Sequence, residues 1–158
     1  MTGQTPENPE GPVIHVQYAV AGESLPTVDA ITRWATCALQ GGTDAVELVV
    51  RVVDEAEMTA LNQRYRGKAG ATNVLSFPYE PLPGVNSGLL GDVVVCAPVA
   101  AEEAVRQGKP HEAHWAHLVI HGVLHLQGYD HHHEPEAGRM EALETRLLAD
   151  LGFSDPYA

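Results

Sequence analysis

Three histidines stand at a spacing that suits a metal ion: His121, His125 four residues on, and His131 beyond a glycine. On a helix, residues four apart sit one turn above each other, so the first two imidazoles point the same way. Both can then reach one ion at about 2.0–2.1 Å. Gly128 can adopt a positive φ, end the helix and turn the chain back, which brings His131 to a third corner. Three neutral ring nitrogens with one open position make the catalytic form of a zinc site. An isolated His pair at this spacing is also what ordinary amphipathic helices produce by chance. The third His after the glycine favours the metal. Eight of the nine histidines fall between positions 111 and 133, so the need for imidazole is local.

The spacing His-x3-His-x2-Gly-x2-His matches the long zinc signature of metalloproteases except at one position. In those enzymes a Glu general base follows the first His; here Gly122 stands there. That departure argues against peptide hydrolysis. Tyr129 and Asp130 sit where groups that orient a ligating imidazole are found, although Asp130 suits a turn hydrogen bond equally well. His111, His114 and His117, upstream on the same helical stretch, could come near the site through their i,i+3 spacing, but solvent exposure suits them better. His132 and His133 read as a solvated turn, with an alternative metal ligand as the lesser reading of one of them.

A basic run, Arg64-Tyr65-Arg66-Gly67-Lys68, fits phosphate binding and a solvated helix end, where cations complement the dipole, equally well. With Arg51 it could make a small positive field. Ser76, at the end of an expected strand, is within reach of a substrate but has no visible base, so it reads poorly as a nucleophile. Phe77, Tyr79 and Tyr129 suit stacking on unpaired bases, or simple packing.

The elements that must position these residues follow from periodicity. β-like runs fall at 13–20, 47–53, 74–77 and 89–96. Helical spacing covers 27–39, stopped by Gly41-Gly42, and 100–107, broken by Gly108-Lys109-Pro110. It also covers 111–127 and 135–151. Asp54 with Glu57 has the capping-box pattern and predicts a helix over 55–65. Residues 1–12 are polar and rich in Pro and Gly, a flexible tail. Nothing divides the rest, so 13–158 reads as one α+β domain: a small mixed four-stranded sheet with about five helices and the metal in a cleft.

Composition sets outer limits. With 158 residues, 44% of them hydrophobic, the chain can bury roughly 68–70% of its unfolded surface. Nine Lys and Arg against twenty-one Asp and Glu give a net charge of −12. That argues against general adhesion to nucleic acid or anionic membrane, while allowing a local basic site. Two separated cysteines, Cys37 and Cys96, make no disulfide framework. With neither an export signal nor an apolar run long enough to cross a bilayer, a cytoplasmic protein is expected.

The segment His121-Gly122-Val123-Leu124-His125-Leu126-Gln127-Gly128-Tyr129-Asp130-His131 resembles the signature of the YbeY family of bacterial endoribonucleases. Further blocks match in order: Leu61 to Lys68, Thr72-Asn73-Val74-Leu75-Ser76-Phe77-Pro78, and Leu90-Gly91-Asp92-Val93-Val94-Val95. Glu112 to His117 and Met140 to Glu144 match as well. Asn73 stands where many relatives carry Asp. The resemblance implies an α+β fold and one zinc ion held by His121, His125 and His131. It makes Arg66 functionally essential; Arg64, Lys68 and Ser76 stand as further candidates for substrate contact from their own positions, not from the resemblance. It also implies cleavage of single-stranded RNA in 16S rRNA 3′-end maturation and ribosome quality control, with small-subunit components as partners. Two other readings stand beside it: a zinc hydrolase of another class, peptidase-like, and a ribosome assembly factor whose zinc is structural.

Overall fold

Four runs rich in branched residues form one mixed sheet: β1 (Val13–Tyr18), β2 (Glu47–Val53), β3 (Val74–Pro78) and β4 (Leu89–Cys96), in the order β1-β2-β4-β3. The first three in that order are parallel, and β3 closes the sheet antiparallel to β4. This computed structural model describes residues 11–22, 24–40, 46–80, 88–129 and 132–157. The expected tail thus lies almost wholly outside the described residues, as do Gly41-Gly42, Asp130 and His131.

β4 is central and packed on both faces, which is why its sequence is a continuous Val run instead of a clean alternation. Val93 and Val95 face the main core, whereas Val94 and Cys96 face a smaller cluster around Met58 and Leu75. The helix carrying Met58, α2 (Glu55–Arg66), covers that second face. Its N-cap is the expected one: Asp54 accepts from the Glu57 N–H at 2.9 Å. On the main face lie α1 (Val28–Cys37), which buries Ile31, Trp34 and Ala35, and α4 (His111–Leu126).

α3 (Ala97–Gln107) begins three residues earlier than the sequence suggests, directly on the end of β4. Pro98 in the first turn explains the early start, since proline lacks only an N–H that is unpaired there anyway. α5 (Glu136–Asp150) packs on α4 through Met140, Leu147 and Leu148. Five helices and four strands among the described residues make the expected architecture. The two cysteines are free thiols, and no helix of the described residues is long and apolar enough to cross a membrane.

α4 is buried nearly all round, from Trp115 to Leu126. Its closest approach to the sheet is at Gly122, where a Cβ would stand 2.5 Å from Val93 Cγ1 and 3.3 Å from Ser76 Oγ. Only a glycine lets the helix backbone come this near, and the Ser76 hydroxyl uses the proximity to donate to the Gly122 carbonyl at 2.8 Å. Gly128, at φ 97°, reverses the chain just past the helix end, as its position suggests.

Candidate active site

With one side pinned to β3 and β4, α4 offers its remaining edge to solvent and to α5. His114, His117, His121 and His125 follow one another there at intervals of three, four and four residues, one continuous helical stripe. The rings of His121 and His125 lie 4.6 Å apart, centroid to centroid. Both line an open cleft of about 350 Å³ whose other wall is the segment Thr72–Ser76, with Arg66 at the end of α2 on its rim.

The structure therefore brings together four of the sequence candidates: His121, His125, Arg66 and Ser76. His131 lies outside the described residues. Arg64 and Lys68 are exposed and do not line the cleft; the Arg64 guanidinium sits 6.0 Å from the Tyr65 ring centroid. His132 also lines the cleft and is exposed, as a solvated turn would be.

Several expectations need correction. Arg51 adds little to a positive field, because Glu57 neutralises it through bonds of 2.7 and 3.2 Å. Of the two readings of the aromatic residues, stacking is not favoured: Phe77 and Tyr79 sit away from the cleft. Phe77 packs edge-on against Tyr65, and Tyr79 donates to Asp92. Tyr129 borders a separate depression with Leu39 and Gln127. His114 and His117 are not solvated: their side chains are 5% and 14% exposed. Both line a second cavity, of about 340 Å³, which adjoins the cleft through Asn73, Val74 and His121.

Each buried imidazole is matched to a carboxylate. His114 Nε2 lies 2.8 Å from Glu103, which also accepts from the Asn73 amide at 3.1 Å. That is what Asn73 does here. Burial lowers the His114 pKa more than Glu103 raises it. Glu144, fully buried on α5, is shared by three donors: His121 Nδ1 at 2.5 Å, His117 Nε2 at 3.2 Å, and the Tyr157 hydroxyl. Burial pushes the Glu144 carboxyl up, but these hydrogen bonds outweigh it and hold the pKa at about 2. Burial of its hydroxyl, and then the same carboxylate, drive the Tyr157 pKa well above its ordinary value.

Glu144 is the functional residue that motif spacing misses. Its signal is a carboxylate on the apolar stripe of α5, four residues after Met140 and four before Leu148. A charge so placed is unfavourable unless something pairs with it. The acceptor at Nδ1 fixes the His121 tautomer and puts the lone pair on Nε2, the usual arrangement behind a metal-ligating histidine. Neutral imidazoles suit zinc among divalent ions, so the donor set of the cleft fits such a cation. Ligand atoms of His117, His121 and Glu144 all fall within 4.8 Å of one another, so this trio could hold an ion as well.

The chain is similar to proteins of one family. The family described as "Endoribonuclease YbeY" matches residues 23–152. A protein named Endoribonuclease YbeY from Nitrosococcus oceani is 51% identical over 146 residues, covering 91% of this chain and 95% of that one. Its counterpart from Alkalilimnicola ehrlichii is 55% identical over 149 residues, 91% of this chain and 90% of the relative. The fold is that of the solution structure of TM1509 from Thermotoga maritima. The TM-score is 0.52 at 23% identity, over 89% of this chain and 97% of that one.

Proposed function

The chain belongs to the YbeY endoribonuclease family, and from that premise we propose that it is a zinc-dependent endoribonuclease acting on single-stranded RNA. Its work is the maturation of the 16S rRNA 3′ end and ribosome quality control, in the cytoplasm and in contact with small-subunit components. The observation that carries this reading is the meeting of Arg66 with His121 and His125 around one cleft.

An RNA phosphodiester is anionic, and its cleavage gathers more negative charge at phosphorus. Arg66 presents a planar fork that suits two phosphate oxygens. His121 and His125 would hold the ion, with His131 as third ligand on the strength of its spacing. When bound, zinc supplies Lewis acidity toward the phosphate and lowers the pKa of water towards about 7. Glu144 holds the proton on Nδ1 of His121, keeping Nε2 as the ligating atom. Ser76 gives its proton to a backbone carbonyl and not to a base, so its part is to hold α4 on β3 beside the substrate. With Arg64 and Lys68 exposed and off the cleft, any contact they make is to RNA extending past the cleavage point.

Peptide hydrolysis is disfavoured for a geometric reason. The residue after His121 faces the sheet, where a Cβ would be 2.5 Å from Val93. A glutamate base has no room there.

The test is cleavage of a 16S 3′ precursor by pure protein, by His125→Ala and by Arg66→Ala. Both variants are expected to lose at least about a hundredfold in rate, more than the effect of removing a supporting partner alone. Equal rates in all three proteins would overturn the proposal.

A further inference from the structure

We infer that Tyr157 is a positioning residue, acting through Glu144 to fix the ring of His121. This rests on the reading of His121 as a zinc ligand and extends the site to a residue outside the matched family region, which ends at residue 152. The polypeptide that follows α5 returns to the site by identifiable contacts. The Phe153 N–H donates to the Leu148 carbonyl at 2.9 Å, and Phe153 packs on the core. Lys109 Nζ donates to the Pro156 carbonyl at 2.8 Å, and the Tyr157 N–H donates to Asp155 at 2.8 Å. The aromatic ring then stands edge-on to His117, centroids 5.4 Å apart at 85°, and the hydroxyl reaches the same Glu144 oxygen that His117 faces.

The division of labour within the carboxylate makes the case. Oε1 is held by Tyr157 and His117, whereas Oε2 takes His121 Nδ1. A buried carboxylate bound at both oxygens cannot rotate, so the direction of Oε2 sets the plane of the His121 ring. The 2.5 Å separation is the geometry of support, not of two ligands on one ion. Two ligands at about 2.0–2.1 Å on a tetrahedral ion stand roughly 3.4 Å apart. The observed pair is closer, as a charge-assisted hydrogen bond is.

The experiment measures zinc affinity by chelator competition in the full chain, for wild type, Tyr157→Phe, Glu144→Gln and His121→Ala. It also records the imidazole 15N–1H spectrum of the metal-free proteins. Tyr157→Phe keeps the ring on His117 and removes only a hydroxyl from a side chain already 47% exposed, so its fold persists. It is expected to bind zinc about tenfold more weakly, the low end for removal of a supporting partner, and to lose the protected Nδ1–H signal of His121. Glu144→Gln should weaken zinc more than Tyr157→Phe and less than His121→Ala. Wild-type affinity and an unchanged His121 signal in Tyr157→Phe would overturn the inference while leaving His121 as a ligand. A Glu144→Gln protein as deficient as His121→Ala would make Glu144 a ligand and overturn it too. Should His121→Ala bind zinc like wild type, the zinc-ligand reading fails first, and this inference with it.

Discussion

Where α4 meets the sheet, its position is set mainly by contact: Gly122 against Val93, with Trp115, Val119 and Val123 buried on either side and one hydrogen bond from Ser76. Along its histidine edge the partners are instead Glu103, itself bonded by Asn73, and Glu144 and Tyr157, joined by hydrogen bonds. The two sides depend on each other. Imidazoles can be aimed at a common point only if the helix bearing them cannot roll or slide, and close packing supplies that rigidity. The polar edge in turn tolerates buried charge because each carboxylate has donors at hand.

The strongest attempt to break this pairing is Gly122→Ala. In an unhindered helix interior the change would stabilise by roughly 1 kcal/mol. Here the added Cβ meets a buried Val and two other side chains, and overpacking of this kind costs about 1–3 kcal/mol. Net destabilisation is expected, read as a lower urea midpoint with an unchanged slope. Zinc affinity should fall along with it, because the whole histidine edge shifts. A more stable protein with intact zinc binding would show that the sheet contact does not position the site.

Arg66→Lys sharpens the other side. Arg66 is the one candidate in the cleft that lies on α2, so it reports on the geometry between helices instead of along one. Lysine keeps the charge and loses the fork, and the expected effect on kcat/KM for single-stranded RNA is about tenfold, the worth of one charge-assisted hydrogen bond. Zinc affinity should not move. If Arg66→Lys cleaves like wild type, the guanidinium acts as a point charge and its placement in the cleft is incidental.

How far the sequence foretells these two sides differs for a physical reason. The histidine stripe, the four strands and the caps at Asp54 and Gly128 are local patterns, visible because helix and strand periods are short. Gly122 is visible as an oddity, but its cause lies 29 residues away in Val93. Glu144 and Tyr157 act across the chain on His121, and no spacing rule links α5 to α4 before the fold is known. The same blindness explains His114 and His117. Histidine is polar enough to be assigned to solvent, and only the placement of Glu103 and Glu144 shows why these two are buried. For Phe77 and Tyr79 both stacking and packing are open on sequence, since aromatic residues next to a proposed RNA site suit either. The alternation of β3 sends Val74 and Ser76 toward α4 and puts Phe77 on the opposite face, beside Tyr65.

The smallest expected effect tests whether the polar edge carries its own pH dependence. His114 is held below the ordinary imidazole pKa by burial; Glu103 opposes this, while His117 and Lys109 add to it. In the unfolded chain the same group takes up a proton near pH 6.5. As pH falls below that value, the unfolded state binds more protons than the folded state at this site, so stability declines with acidity; above it, the site contributes no slope. One proton limits the slope to about 1.4 kcal/mol per pH unit. His114→Gln keeps an amide donor for Glu103 without the titration. Urea midpoints of both proteins, taken from pH 7.5 to 5, should converge as pH drops, because only the wild type loses this contribution. Parallel profiles would mean that His114 takes its proton as readily folded as unfolded. The Glu103 contact would then balance the burial at this site.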